Sequence, residues 1–342
     1  MTPNRREFLT AGTVAAGAMA ITPHVFGQEE KAKPKTLKLG VIGTGWYGMV
    51  DAMAALKVGG CEITAICDVD SDHLAQSADK LEKEQGTKPA TFKLYEELLE
   101  KSDLDAVIIG TPPHWHALQL LACLKQALDV YCEKPLSYDV AEGIAMQKAV
   151  EASDSIVQIG FQRRQSKAFA EVKEFIQSGG IGELIQVDAQ IHYRAGLLDN
   201  SPTDPPAALD WDLWCGPGPL IPYSEQVGHK SWRLEKTSGH GHLVDWGIHL
   251  IDATRMILDL DLPKSITAVG GIYKYKGGIT TPDTLTAHFE FEQCPVVWRH
   301  RLWGSTEYTP ETKNGIFFYG DEATVFATDQ KWTVVRGNNA EQ

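Results

Sequence analysis

The sequence predicts an α/β protein with a doubly wound parallel sheet first, followed by an α+β domain built on a mostly antiparallel open sheet. Three observations predict it. Up to about Phe161, short β-rich runs alternate with helical stretches, a pattern that implies right-handed crossovers and a buried parallel sheet. A glycine cluster from Gly43 to Gly48 follows the first run and opens a helix. After Phe161 the runs become longer and follow one another, broken by one main helix, as in an α+β arrangement. With 342 residues, 43% apolar and 23% charged, the chain resembles neither a disordered nor a fibrous protein and can form one large or two ordinary domains. A formal charge of −13 repels polyanions, so no nucleic acid partner is expected.

Residues 1–35 read as a leader and a polar linker. Phe8 to Gln28 carries no acid, Lys or Arg, and the small apolar stretch Phe8 to Ile21 is too short to span a bilayer. Arg5-Arg6-Glu7-Phe8-Leu9 resembles the twin-arginine signal, which exports proteins already folded, so a periplasmic location without stable membrane insertion is expected. The alternative is an uncleaved anchor or a disordered tail. The six cysteines, Cys61, Cys67, Cys123, Cys132, Cys215 and Cys294, show no C-x-x-C spacing. A chain folded in a reducing compartment keeps such thiols reduced, so neither a disulfide framework nor a cysteine zinc site is expected.

Residues 36–160 form the predicted parallel-sheet domain. Leu37 to Ile42 is a continuous apolar strand, followed by a helix through about Lys57, and Ile63 to Cys67 is the second strand. Ala106 to Gly110, Val130 to Cys132 and Ile156 to Gly160 are further short runs, with helices at Trp115 to Lys125 and Val140 to Ala152. In Gly43-Thr44-Gly45-Trp46-Tyr47-Gly48 the spacing is G-x-G-x-x-G, between a strand and a helix. That context lets the backbone approach a pyrophosphate at a helix N-terminus. Asp68, twenty residues after Gly48 at the end of the second strand, can accept hydrogen bonds from a ribose 2′-hydroxyl. A carboxylate there repels a 2′-phosphate, so a Rossmann domain for NAD rather than NADP is expected. An ordinary tight turn with Asp68 as a helix cap is the competing reading.

Residues 161–342 form the predicted second domain. A helix from Ser166 to Ile176 ends at Gly179-Gly180, and a longer strand covers Leu184 to Tyr193. A Pro-rich loop spans Ser201 to Pro222, a helix spans about Gly241 to Leu258, and six strand-like runs follow. In that helix His242, Asp245, His249 and Asp252 have spacings of three, four and three, which stacks them on one face.

Two segments carry candidate chemistry. Glu133-Lys134-Pro135 directly follows a strand, and strand C-termini face the ligand crevice in such sheets, so Lys134 is aimed at the site. His249 is placed to take a hydroxyl proton, Asp245 to orient and support positive charge, and Lys134 to stabilise developing alkoxide. Two histidines and an aspartate on one face also suit zinc. A nicotinamide needs no metal to accept hydride, so no metal is expected.

These residues together resemble the glucose–fructose oxidoreductase, inositol dehydrogenase and MocA family, over about Thr36 to the C-terminus. The resemblance rests on the glycines at Gly43, the E-K-P at Glu133 and the D-x-x-x-H at Asp245 and His249. It implies that Lys134, Asp245 and His249 are the catalytic trio. It implies cofactor contacts at Gly43, Gly45, Trp46, Tyr47, Gly48, Asp68, Glu133 and Gln162, and in the segment holding Thr111, Pro112, His114 and His116. Arg163 matches an arginine near the polyol in inositol dehydrogenases, and His242, extra to the usual pattern, narrows the cleft or binds substrate. Relatives commonly pair through the open sheet, so a homo-oligomer is expected. The run Leu209-Asp210-Trp211-Asp212-Leu213-Trp214 resembles an insertion of exported branches that could form a lid.

The resulting expectation is an NAD-dependent oxidoreductase moving a hydride between a sugar, polyol or glycoside ring hydroxyl and a tightly bound nicotinamide. An NAD-using glycosidase that works by transient oxidation and elimination, and a non-catalytic sugar-binding relative, remain as alternatives.

Overall fold

The computed structural model describes residues 35–229, 231–304 and 312–336. The twin-arginine motif and nearly all of the linker lie outside them.

β1 (Leu37–Ile42) is buried from its third residue, Leu39, onward. Such burial is expected of a central strand covered by helices on both faces. α1 (Trp46–Val58), β2 (Cys61–Cys67) and α2 (Ser71–Gln85) complete the first crossovers. Asp70 caps α2, its carboxylate accepting from the N–H groups of Asp72 and His73. β3 (Ala90–Phe92), α3 (Tyr95–Lys101), β4 (Ala106–Ile109), α4 (Pro113–Lys125), β5 (Asp129–Glu133), α5 (Val140–Glu151) and β6 (Val157–Gly160) follow. All six strands run parallel in the order β3-β2-β1-β4-β5-β6. The order reverses between β1 and β4, so the C-terminal ends of these strands border the crevice where doubly wound sheets hold ligands.

A 3₁₀ turn (Gln162–Gln165) leads into α6 (Lys167–Gln177) and β7 (Leu184–His192). The Pro-rich stretch contains a short helix, α7 (Trp211–Cys215), capped by Asp210. The predicted helix at 241–258 is not uniform. Gly241 has φ +74°, a π-helical turn covers Leu243–Gly247, and only then does α8 (Ile248–Leu258) begin. β8 (Ser265–Gly271), β9 (Thr284–Glu290), β10 (Pro295–Arg301), β11 (Asn314–Gly320), β12 (Ala323–Ala327) and β13 (Trp332–Arg336) complete the second sheet. Its order is β13-β12-β11-β7-β10-β9-β8, antiparallel except between β7 and β10.

α6 and α8 cover one face of this sheet, where Phe169, Val172, Leu250 and Ile257 pack with Trp298 and Phe318. Trp298 is the largest fully buried side chain among the described residues, and Gly247 in the π-helical turn lies against its indole. Burying an aromatic side chain of this size contributes roughly 3 kcal/mol, so the turn carrying the candidate chemistry is anchored to the core beneath it.

Residues 206–229 run back along the first sheet. Asp70 and Leu209 form a β-bridge, the Ser71 N–H donates to the Ala208 carbonyl (2.9 Å), and the Asp210 N–H donates to the Val69 carbonyl (3.1 Å). Trp211 and Trp214 stack with centroids 4.6 Å apart and join Val69 and Val227 in a small apolar cluster. This strap fastens the second half of the chain to the rim of the first. All six cysteines are unpaired, and five are buried. No helix among the described residues is long and apolar enough to cross a membrane.

Candidate active site

A cavity of about 940 Å³ extends from the β1–α1 turn to the π-helical turn before α8. At one end it is shaped by missing side chains. Gly43 has φ +86°, and a Cβ on Gly48 would stand 1.9 Å from the Gly43 carbonyl oxygen. Only glycine permits that approach, which brings the N-terminus of α1 against the turn, where Gly45, Trp46 and Tyr47 line the cavity. The Asp68 carboxylate accepts from the Thr44 N–H (2.7 Å), the Thr44 hydroxyl (3.1 Å) and the Asp70 N–H (2.9 Å). It is thereby held at the end of β2, lining the cavity. This cradle fits a dinucleotide. Although no basic residue neighbours Asp68 in sequence, the Lys93 side chain lines the same end, its ammonium paired with Asp210 of the strap.

Asp70, His73 and His229 also meet here, with ligand-type atoms within 4.8 Å of one another. The His229 Nε2–H donates to Asp70 (2.9 Å), and the two imidazoles lie 4.3 Å apart.

At the other end the cavity is lined by charge. Lys134, immediately after β5, donates from Nζ to the Asp245 carboxylate (3.0 Å) and to the Asp245 carbonyl (3.0 Å). Arg233 Nε donates to the same carboxylate oxygen (3.1 Å), with its guanidinium over the Trp232 ring. Arg163 lies over Trp246 at 5.1 Å, and His249 faces the cavity from α8. The His249 Nδ1 is buried with no hydrogen-bond partner among the described residues.

Electrostatics follow from this crowding. Burial alone would raise the Asp245 carboxyl, but Lys134 and Arg233 outweigh it and hold the group below the ordinary carboxylate range. Burial, and then the charges of Lys134 and Arg163, push the His249 imidazole down to about 3. Burial raises Glu133 against the pull of Lys134, and pushes its neighbour Asp51 up to about 7. The site therefore presents a neutral imidazole, an ammonium and an ionised carboxylate at neutral pH.

Most of the residues singled out from sequence meet in this cavity. Gly43, Gly45, Trp46, Tyr47 and Asp68 line the cradle, while Thr111, Pro112 and Glu133 line the middle. Lys134, Gln162, Arg163, Asp245 and His249 line the charged end. Gln162 Nε2 donates to the Tyr47 hydroxyl (2.7 Å), tying the 3₁₀ turn to α1.

Gly48 acts through close packing behind the wall. Three histidines do not line the cavity, which corrects their expected roles. His114 donates from Nε2 to the Trp214 carbonyl (2.9 Å), so it holds the strap. The fully buried His116 ring sits between the carbonyls of Thr111 (2.7 Å) and Pro135 (2.8 Å), fixing both cavity segments from behind. His242 bonds the Tyr193 hydroxyl and packs near His300. The π-helical turn breaks the expected single face. His242 goes to Tyr193, Asp245 and His249 go to the cavity, and Asp252 accepts from Arg164 (2.8 Å). The zinc alternative on that face loses its geometry with it.

Sequence reasoning did not find Arg233, Tyr193 or Trp232, all of which line the charged end. Arg233 lies in a three-residue 3₁₀ helix, Trp232–Leu234, too short for a period to mark it, and adjacency to Trp232 was its one visible signal.

Comparison with known proteins agrees with this architecture. Residues 37–161 match the oxidoreductase family with an NAD-binding Rossmann fold, and residues 169–326 match the GFO/IDH/MocA C-terminal domain. Inositol 2-dehydrogenase 3 of Saccharopolyspora erythraea is 34% identical over 149 residues, 43% of this chain and 42% of that protein. The chain thus spans less than half the length of this curated relative. An oxidoreductase structure from Thermotoga maritima superposes with a TM-score of 0.68 at 24% identity, covering 88% of this chain and 81% of that one. Levoglucosan dehydrogenase, solved with NADH and levoglucosan, gives 0.67 at 20% identity, covering 90% and 77%. At these identities the likeness is one of fold. The two family matches account for both sheets and for the crevice between them, and on that ground the chain belongs to the Gfo/Idh/MocA oxidoreductases, with an NAD-binding Rossmann domain as its first half.

Proposed function

We propose that this chain is an NAD-dependent dehydrogenase acting on a ring hydroxyl of a sugar, polyol or glycoside. The observation that carries the reading is the meeting of Lys134, Asp245 and His249 at one end of a cavity whose other end is a dinucleotide cradle. In this reading residues 36–160 hold the cofactor, and residues 161–342 supply substrate contacts and pairing between copies. Gly43, Gly45 and the start of α1 would hold the pyrophosphate, and Asp68 the adenosine ribose. The nicotinamide supplies the hydride acceptor for oxidation, or the donor for the reverse reaction.

The chain's own residues handle the proton and the charge. His249 is neutral at physiological pH, so it can take the hydroxyl proton as the carbon loses hydride. The Lys134 ammonium donates to the same oxygen and stabilises charge as it develops there. Asp245 holds Lys134 and Arg233 in place, which limits reorganisation during the reaction. Names among the relatives support a polyhydroxylated substrate, since they include inositol and levoglucosan dehydrogenases.

The same proposal includes export. The motif at Arg5-Arg6 supports passage of the folded chain by the twin-arginine route, with NAD carried inside. The strap over the adenosine end supports slow release of that cofactor. Screening sugars, polyols and glycosides for reduced cofactor and a ketone product tests the activity. Release of the aglycone with no net reduced cofactor would instead establish the glycosidase. Denaturing protein purified from the periplasm should release stoichiometric nicotinamide, and an empty protein would count against resident NAD.

A further inference from the structure

We propose that Asp70, His73 and His229 form a binding site for one zinc ion, which fastens the strap to the start of α2 at the adenosine end of the cavity. The expectation of no metal concerned the hydride step, and this ion takes no part in it. His73 and His229 line the cradle end, whereas Lys134, Asp245 and His249 line the other.

Asp70 and His73 stand three residues apart at the start of α2, and His229 comes from the far end of the strap, 159 residues after Asp70. One ligand-type atom of each lies within 4.8 Å of the other two. A carboxylate and two imidazoles are a zinc donor set, and three protein ligands leave a fourth position for water. The Asp70 carboxylate is already aimed. Its Oδ1 accepts from the N–H groups of Asp72 (2.9 Å) and His73 (3.1 Å), while Oδ2 faces His229 (2.9 Å). Bonds of this kind behind a ligand fix its orientation toward a metal.

A plain hydrogen bond from His229 to Asp70 accounts for two of these residues and not for the third. The His73 Nδ1 is buried with no hydrogen-bond partner among the described residues, and its ring lies 4.3 Å from that of His229. A buried ring nitrogen left unpaired is costly, whereas an ion shared with Asp70 and His229 gives that imidazole a partner. On coordination the His229 proton moves to Nδ1, which frees Nε2 for the metal. Lys93 lines the same end, but its ammonium is paired with Asp210. His229 is 34% exposed and Asp70 8%, so an ion can enter past the histidine and settle against the buried carboxylate. Once bound, it closes a long loop and adds to the fasteners at Leu209 and Asp210.

The test uses the full chain with NAD bound, stripped with a chelator and then dialysed against zinc, magnesium or calcium. Metal is counted by elemental analysis, and affinity is read by calorimetry. Zinc should be retained at about one ion per chain, whereas magnesium and calcium, which prefer oxygen ligands, should be lost. His73→Ala and His229→Ala should each weaken zinc binding by at least ~100-fold, beyond what loss of an outer-shell partner costs. Asp70→Asn should weaken it as well but keep the metal-free denaturant midpoint, since asparagine also caps helices. Zinc should slow NADH dissociation several-fold in the natural protein, followed by cofactor fluorescence, and leave it unchanged in these variants. No retained zinc, or binding unchanged in both histidine variants, overturns the site. Zinc binding with NADH release unchanged in the natural protein overturns the fastening role. Retention is counted without any sugar, so failure of the dehydrogenase reading leaves this outcome as it stands.

Discussion

The two ends of the cavity are made in opposite ways. The cradle at β1 and α1 is made by leaving side chains out, so that backbone can approach backbone at Gly43 and Gly48. The charged end is made by bringing side chains in, with Lys134, Arg233 and Asp245 converging from distant segments. The difference teaches that a substitution in the cradle acts through sterics, whereas one at the charged end acts through electrostatics and leaves the cradle alone.

Gly48→Ala should produce the largest effect. Its Cβ would meet a carbonyl oxygen at 1.9 Å, so the helix must shift off the turn. Purified protein should lose its bound nicotinamide and all turnover, measured by cofactor release on denaturation and by steady-state kinetics. Lys134→Ala or His249→Ala should instead keep nicotinamide stoichiometric while lowering kcat by about 10²–10⁴-fold, the usual range for a positioned acid or base. Cofactor loss in those variants would erase the separation between the two ends.

The next effect concerns acid. His116 and His242 are pushed down by burial to about 4, and His249 to about 3, from an ordinary value of 6.5. As pH falls from 6.5 toward 4 the unfolded chain takes up protons that the folded chain refuses, so stability drops. Each such histidine costs about 1.4 kcal/mol per pH unit in that window. Denaturant midpoints across this range should fall steeply for the natural protein and less steeply for His242→Gln. The smallest effect is expected at the strap. Lys93→Ala removes a largely exposed ion pair with Asp210, changing stability by no more than ~1 kcal/mol. Its signature should be faster loss of nicotinamide on dialysis.

Much of the fold was legible because each level agreed with the next. Runs such as Ala106–Ile109 are apolar throughout, as a strand covered on both faces requires, and glycines mark where they turn into helices. β3 and α3 escaped notice because Ala90–Phe92 has three residues and no alternation, so its pairing with β2 is decided by tertiary contact. At the site, Lys134, Asp245 and His249 were visible because each sits at a fixed offset from a strand end or helix start. His242 was misplaced because periodicity assumes 3.6 residues per turn, and the π-helical turn at Leu243–Gly247 takes up an extra one. Arg233 was missed because its role depends on a tertiary contact with Asp245 from a 3₁₀ helix of only three residues.

The stretch from Ala208 to Arg233 is continuous, clasping the edge of α2 at its start and delivering a guanidinium to Asp245 at its end. One length of chain therefore touches both the rim of the cradle, through Ala208 and Asp210, and the charged end, through Arg233.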